Sequence, residues 1–258
     1  MLTVKYYKFS KNMTYLWLTL ASIVGWFVST LAGGGSSFLL MPFIGFFLGA
    51  LAIPPIITTG AIIGNAERAF TYRQKISWTV IFWELPGAIV GACLGAFMLT
   101  QISVGWLSFL VGLFLVISGI NLIIKNQEQS FTVRAWYFLP AGFIYSFLSG
   151  IIGSMGPILA PFYLNFGLEK EELLGTQAVN RMVVHIVKAI AYAIFGTLTL
   201  PLFGYGILIG IAAFPGNWLG NLVLEKISPQ LFRQLVIIFV LFSGVFILWE
   251  QRNILILW

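Results

Sequence analysis

Charged residues are scarce in this 258-residue sequence, in which aspartate, glutamate, lysine and arginine together make up 9%. A soluble domain of ordinary composition carries about a quarter, so the scarcity argues against a soluble globular protein. Aspartate is absent, and there is one histidine and one cysteine. The lone Cys93 excludes an intrachain disulfide and a cysteine-based metal motif. P-loops, dinucleotide fingerprints and HExxH motifs are also missing, so we expect no cofactor, no metal and no ATP-driven pump in this chain alone.

Apolar residues are abundant instead, at 59% of the chain, and the mean hydropathy is +0.97. No charge occurs between Met13 and Ala66, a stretch far longer than the roughly 20 apolar residues that cross a bilayer. These runs are continuous, whereas the strands of a β-barrel would alternate in polarity. The sequence therefore predicts an all-α polytopic membrane protein. The net charge of +6 is assigned to loops that set orientation, and no nucleic-acid partner is expected.

Two glycine-rich breaks interrupt the apolar sequence. Gly33–Ser37 is followed by Pro42, and Gly153–Pro157 is followed by Pro161. Glycine and proline break helices, and a break within a membrane exposes backbone groups that lipid cannot satisfy. Such breaks persist where protein or a wet cavity covers them, so they predict a small polar site inside the membrane. The alternative is that the glycines only allow close helix packing.

The order of landmarks along the chain predicts an internal duplication. Besides the breaks, three landmarks of the first half recur in the same order in the second half. We therefore expect two homologous membrane repeats, residues 1–128 and 129–258, in one integral membrane domain. The matched landmarks are Asn65–Tyr72 with His185–Tyr192, Pro86–Gly91 with Pro215–Gly220, and Ile102–Gly119 with Ile227–Gly244.

The distribution of positive charge selects the topology. The segments after the breaks, about 34–53 and 154–167, either cross the membrane or return to their starting side. If both crossed, Arg73, Lys75 and Lys125 would fall outside, against the positive-inside rule. We therefore expect about eight transmembrane helices, two re-entrant glycine-rich segments and both termini in the cytoplasm. The predicted spans are residues 14–32, 57–72, 78–99, 104–124, 135–152, 173–195, 202–224 and 231–249.

Polar residues on the sixth predicted span form a single stripe. Gln177, Arg181, His185 and Lys188 are spaced by four, four and three residues, which places them on one helix face. Charges at bilayer depth are costly and face a bundle interior or water, and cations without an adjacent carboxylate favour an anion. We expect this anion site where the two halves meet. Its candidate substrate-binding residues are Gly33, Gly34, Gly35, Ser36, Ser37, Asn65, Arg68, Gly153, Ser154, Gly156, Gln177, Arg181, His185 and Lys188.

Several of these residues have a structural alternative. Arg68 could pair with Glu67 or Glu84, Lys188 could extend to the cytoplasmic interface, and His185 could donate to a carbonyl. If transport is coupled to protons, the candidate carriers are Glu67, Glu84 and His185. Histidine titrates near neutral pH, and the two glutamates are the carboxylates that fall within predicted spans.

These features resemble the TauE/SafE family of sulfite exporters, also called the TSUP family. The resemblance rests on AGGGSSFLLMPFI at Ala32–Ile44, GIIGSMGPILAPFYL at Gly150–Leu164 and GTQAVNRMVVHIVKAIAY at Gly175–Tyr192. It implies a bacterial or archaeal inner-membrane permease of seven to eight spans, associated with sulfite, sulfonates and related organosulfur anions. Only the glycine-rich loops, Gly33–Pro42 and Gly153–Pro161, are carried over from the family. The second loop departs from a GxGGG pattern.

The anion site and the resemblance together predict a secondary transporter that moves sulfite, sulfonate or related anions by alternating access of the two repeats. The alternatives are a permease for another small anion or a metal ion, and a non-transport membrane subunit. A metal site would have few ligands. An enzyme is not expected, because no paired carboxylates or nucleophile–base pair accompany His185. The expected partners are a small sulfur-containing anion and the lipid bilayer, with a homo-oligomer left open.

Overall fold

The described part of the chain is helical throughout. The computed structural model describes residues 11–32, 35–101, 133–155 and 170–223, with scattered residues between 109 and 120, 159 and 168, and 241 and 249. The predicted spans 104–124 and 231–249 lie largely outside the described residues. The α-helices are α1 (Lys11–Ala32), α2 (Ser36–Leu48), α3 (Ile53–Thr71), α4 (Trp78–Leu99), α5 (Phe138–Ile152), α6 (Lys170–Ile194), α7 (Leu200–Ile211) and α8 (Ala213–Val223).

Four stretches of the described residues are long and apolar enough to cross a membrane. They are Asn12–Thr30, Trp78–Leu99, Ala135–Ile152 and Leu200–Val223, and each coincides with a predicted span. This agreement confirms a multi-pass helical membrane protein. The helices α3 and α6 also occupy predicted spans, but their buried polar residues make them less apolar. The total of eight spans stays a prediction.

The seventh predicted span, 202–224, is not one helix. It consists of α7 and α8, which meet at Ala212. Pro215 lies in the first turn of α8, where its missing N–H costs no hydrogen bond. A hydropathy pattern does not register this break, because both helices are apolar.

The first glycine break separates α1 from a short second helix. Gly35 precedes α2 with φ 105°, and Gly49 follows it with φ 87°, a backbone region in which glycine is unstrained. At 1.5 Å per residue, the 13 residues of α2 extend about 20 Å, less than the hydrocarbon thickness of about 30 Å. This length agrees with a re-entrant segment. The side to which the chain returns stays a prediction.

The second break follows α5 and is pressed against the start of α3. Gly153 has φ 107°, and a Cβ atom added to it would lie 3.0 Å from Pro54 Cα. Conformation and space therefore both require glycine here. Because Pro54 belongs to the first half of the sequence, this contact joins the second break to the first half.

Glycines also let two pairs of helices pack with their backbones nearly touching. On α4, a Cβ added to Gly91 would lie 2.3 Å from the carbonyl oxygen of Phe143 on α5. On α8, a Cβ added to Gly216 would lie 2.5 Å from the carbonyl oxygen of Ile23 on α1. Each close pair thus combines one helix from each half of the chain. Between these pairs, α3 packs against α6. We call this arrangement, in which helices of one half have their close partners in the other half, the exchanged packing. It supports the division into repeats 1–128 and 129–258, which stays a prediction.

Candidate functional site

The two glycine breaks meet beside α3 and α6 around one small cavity. Its volume is about 10 Å³, close to the least space in which a single water molecule fits. The ends of α1 and α2, the middle of α3, the segment after α5 and the middle of α6 all contribute to it. We call it the central cavity. Its lining residues are Trp26, Ser29, Gly35, Ser36, Ser37, Ala61, Asn65, Arg68, Ser154, Arg181 and His185.

Most of the predicted site residues that the structure describes line this cavity. Both serines of the first break, Ser154 of the second and the polar residues Asn65, Arg68, Arg181 and His185 are among them. Gly33, Gly34 and Gly156 lie outside the described residues. Gly153, Gln177 and Lys188 are described but are not lining residues. The structure therefore brings the two breaks together while dividing the predicted α6 stripe.

Arg68 is buried in a polar network between three helices. Its Nη2 atom donates to Ser29 Oγ at 3.3 Å, to Thr30 Oγ1 at 3.4 Å and to Asn217 Oδ1 at 3.3 Å. Its Cζ atom lies 5.7 Å from the ring centre of Trp26, within the range of a cation–π interaction. These partners on α1 and α8 fix the guanidinium at the edge of the central cavity.

Asn217 joins Arg68 to Glu67. Its Nδ2 donates to Glu67 Oε2 at 2.5 Å, while its Oδ1 accepts from Thr30 Oγ1 at 2.8 Å and from Arg68. The pairing of Arg68 with Glu67 that the sequence offered as an alternative therefore has an amide between the two charges. Glu67 itself is half-buried at the α3–α8 contact.

Arg181 approaches the central cavity from α6. Its side chain is 8% exposed, and its Cζ atom lies 5.8 Å from the ring centre of Tyr145. Arg181 lines the central cavity and also a second cavity on its other side. It is therefore the side chain that connects the two polar regions of the interior.

His185 and Asn65 lie at matched positions, 120 residues apart in the sequence. Asn65 Nδ2 donates to the carbonyl oxygen of Ala61 at 2.8 Å. The amide oxygen of Asn65 takes no part in that bond and can accept from another donor. His185 Nδ1 is buried and has no hydrogen-bond partner among the described residues. An unsatisfied buried nitrogen is costly, so this cavity wall is suited to a polar ligand.

Lys188 has a different environment from the other cations of the stripe. It is fully buried, and its Nζ donates to Gly153 O at 2.6 Å, Ser149 Oγ at 2.8 Å and Ser149 O at 3.2 Å. An ammonium has three donors, and three acceptors surround this one. One helical turn on, the Tyr192 hydroxyl donates to the Gly150 carbonyl. Lys188 therefore holds the end of α5 against α6.

The second cavity surrounds Glu84 on α4. Glu84 is 2% exposed, and both its carboxylate oxygens accept from the Tyr163 hydroxyl, at 2.9 and 2.7 Å. We call this region the Glu84 cluster. The lining residues are Glu84, Tyr145, Ser146, Leu159, Tyr163, Asn180, Arg181 and Val184.

Several polar residues around the two cavities were not predicted from the sequence, among them Ser29, Asn217, Tyr163 and Asn180. Ser29 had a usable signal, because it lies 120 positions before Ser149, the same offset that relates Arg68 to Lys188. Asn217 directly follows the matched Pro215–Gly216 landmark. Tyr163 and Asn180 carried no pattern that set them apart from packing residues.

Comparison with known proteins agrees with these features. Residues 18–247 match the family model described as sulfite exporter TauE/SafE. The chain is also 25% identical over 175 residues to the probable inner membrane transporter protein TsaS of Comamonas testosteroni, covering 66% of this chain and 72% of that protein. No solved structure matches the chain significantly. Because the family model spans most of its length, this protein belongs to the TauE/SafE family of sulfite exporters.

Proposed function

We propose that this protein is a secondary transporter that moves sulfite, sulfonate or related organosulfur anions across the cytoplasmic membrane. Its family and its apolar helices identify it as a permease-type, multi-pass membrane transporter. The substrate, the mechanism, the location in the inner membrane and the cytoplasmic termini are parts of the proposal.

One observation carries the choice of an anion. Arg68 and Arg181 enter the central cavity from α3 and α6, and no carboxylate is among the described residues that line it. Two guanidinium groups that approach the same low-dielectric cavity repel one another. Glu67 and Glu84 lie near them but do not line this cavity, so an anion inside it would be bound by both guanidinium groups.

The remaining lining groups suit an oxyanion of sulfur. Ser36, Ser37 and Ser154 bring hydroxyl donors from both breaks. The N-terminus of α2 begins at the cavity without a side-chain cap, so its first N–H groups and the helix dipole favour negative charge. Arginine adds a planar fork of donors that matches the geometry of oxyanions. The acceptor oxygens around one sulfur atom point in several directions. The serines, the α2 N-terminus and the arginines, which reach the cavity from several elements, could therefore each donate to one of them.

The small volume of the cavity favours alternating access. A space of about 10 Å³ is too small for a sulfonate, so substrate would enter only after the surrounding elements move apart. The backbone contacts between α4 and α5, and between α1 and α8, are too close to slide. We therefore place the movement between these two pairs, around α3 and α6, rather than between the two halves of the sequence as units.

The alternative functions differ in the ligand that the protein would bind. A permease for another small anion would use the same cations with different selectivity. For a metal ion, no group of three or more histidine, cysteine, aspartate or glutamate residues occurs within the described part of the chain. A non-transport subunit would bind no small anion at all.

The test is a ligand screen on purified protein followed by flux measurements. Thermal stability is measured with sulfite, thiosulfate, alkyl sulfonates, sulfate and carboxylates, because a ligand that binds the folded state raises the melting temperature. Anions that stabilise the protein are then assayed for uptake into proteoliposomes. We expect stabilisation and flux with sulfur oxyanions.

Protein-free liposomes and an Arg68→Ala, Arg181→Ala double variant serve as controls. An Arg73→Ala variant is the matched control, because Arg73 lies in the exposed turn after α3 and donates to Phe70 O. Absence of any anion-dependent stabilisation, together with flux equal to that of empty liposomes, would exclude anion transport.

A further inference from the structure

The Glu84 cluster is a buried polar site next to the central cavity. We propose that Glu84 binds the proton that is moved together with the anion, and that Arg181 links this proton site to the anion site. The inference rests on the proposed anion transport and specifies its coupling ion. Glu84, Tyr163 and Arg181 are the three residues that carry it.

The hydrogen bonding around Glu84 is incomplete. Tyr145 Oη, Ser146 Oγ and Asn180 Oδ1 are buried and have no partner among the described residues. All three belong to residues that line the same cavity as Glu84. The two hydroxyls carry donors of their own, whereas an amide oxygen and an ionised carboxylate can only accept. A proton on one Glu84 oxygen adds a donor to this cavity.

Water does not satisfy these atoms in this conformation. The cavity among them has no space for a water molecule, with a volume of about 0 Å³. The helix packing around Glu84 is also tight, because a Cβ added to Gly142 of α5 would lie 2.8 Å from Glu84 Cγ. A proton needs no volume of its own, so it fits this site where a hydrated cation does not.

Arg181 determines that the proton and the anion move in the same direction. The charged and titratable groups facing Glu84 across this cavity are Tyr145 from α5, Arg181 from α6 and Tyr163. An ionised Glu84 and a bound anion would place two negative charges around the same guanidinium, and these repel in a low dielectric. Protonation of Glu84 removes that repulsion and leaves the charge of Arg181 to the anion. Proton and anion therefore bind together, which predicts symport.

Each transport cycle then carries one proton with the anion. The proton adds to a Glu84 carboxylate oxygen on the side of uptake and leaves from the same oxygen on the side of release. The Tyr163 hydroxyl donates to the carboxylate when the proton is absent. No bond other than this O–H bond forms or breaks.

The experiment uses the full chain in proteoliposomes with methanesulfonate, an anion whose charge does not change with pH. Uptake is measured with and without an inward proton gradient, alongside exchange of external for internal methanesulfonate. For the wild type we expect the gradient to drive accumulation. For Glu84→Gln we expect exchange to continue and the gradient response to disappear. Glu172→Gln is the matched control, because it makes the same chemical change in the first turn of α6, eight residues before Asn180, at a residue that does not line the cavity of Glu84.

The outcomes separate the two proposals. Absence of methanesulfonate exchange by the wild type would overturn anion transport and the coupling with it. Exchange that ignores the proton gradient, or a gradient response retained by Glu84→Gln, would overturn the coupling alone. If Glu84→Gln does not fold, Tyr163→Phe decides: we expect the pH of half-maximal uptake to shift, and an unchanged pH profile overturns the inference.

Discussion

Lys188 Nζ lies 2.8 Å from Ser149 Oγ, and the same relationship recurs 120 positions earlier in the sequence. There, Arg68 Nη2 lies 3.3 Å from Ser29 Oγ. In both halves, a serine on the helix before the glycine break accepts from a cation on a long helix after the break, α3 in the first half and α6 in the second. The two cations nonetheless differ in their surroundings. Arg68 reaches the central cavity, whereas Lys188 is surrounded by acceptors of its own half.

Replacing Arg181 should weaken anion binding. Arg181→Gln removes a charge-assisted donor from the central cavity, and the loss of such a bond costs about 1.5–3 kcal/mol. We expect the dissociation constant for methanesulfonate to rise roughly 10- to 100-fold, measured by the anion-dependent shift in melting temperature. Arg73→Gln, on the exposed turn, should leave the constant unchanged. Equal affinities in the wild type and Arg181→Gln would remove Arg181 from the site.

Replacing Lys188 should reduce stability more than binding. Lys188→Met removes three charge-assisted hydrogen bonds from the protein interior. Ser149 O still accepts from Gly153 N, and Gly153 O still accepts from Ser149 Oγ, so we expect a cost of about 1.5–3 kcal/mol. Thermal denaturation in detergent should therefore show a lower melting temperature, while Lys75→Met in the exposed turn should not. The folded fraction of Lys188→Met should keep its affinity for methanesulfonate. Normal stability with lost affinity would instead place Lys188 in the anion site.

The close contact of α4 with α5 can be tested with two glycines. Gly91→Ala places a methyl group against the Phe143 carbonyl, and overpacking of this kind costs about 1–3 kcal/mol. Gly204 on α7 has open space around its Cα atom, so Gly204→Ala should be neutral or stabilise by up to about 1 kcal/mol. Melting temperatures of the two variants should move in these different directions. A tolerated Gly91→Ala would contradict the packing of this helix pair.

The topology can be tested by labelling single cysteines in a Cys93→Ser background. Lys75→Cys follows α3, Gln101→Cys follows α4 and Thr199→Cys precedes α7, and all three positions are exposed. With both termini in the cytoplasm, membrane-impermeant reagent in spheroplasts should label position 101 and spare positions 75 and 199. Labelling of position 75 with position 101 spared, which is the pattern expected if the segments after the breaks crossed the membrane, would exclude the re-entrant arrangement.

Much of the fold was predictable because apolar composition and continuous runs decide helix against strand in a membrane. The boundaries of α1, α4 and α5 follow directly from where charge and turn residues begin. The pairing of helices was not predictable in the same way. A glycine such as Gly91 shows that something approaches closely, but not that its neighbour is Phe143, 52 positions away.

The lining of the central cavity was predicted in part, for a geometric reason. Helical spacing places Gln177, Arg181, His185 and Lys188 on one face, but from first to last they rise about 16 Å along the axis. A cavity with room for one water molecule touches only the middle of such a stripe, which is where Arg181 and His185 lie. The contacts of the two end residues, Gln177 and Lys188, depend on tertiary packing, which places Lys188 against the end of α5.

The exchanged packing of the helices has a consequence for how the protein is made. The helix α1 is inserted before its close partner α8, which follows nearly two hundred residues later. Ser22 Oγ of α1 likewise donates to Ile209 O of α7, 187 positions away. Synthesis of the first half therefore leaves its glycine faces without their partners, and Arg68 without Asn217. Contacts between residues so far apart in sequence form slowly, so the packing around α1 is completed only after α7 and α8 leave the insertion machinery.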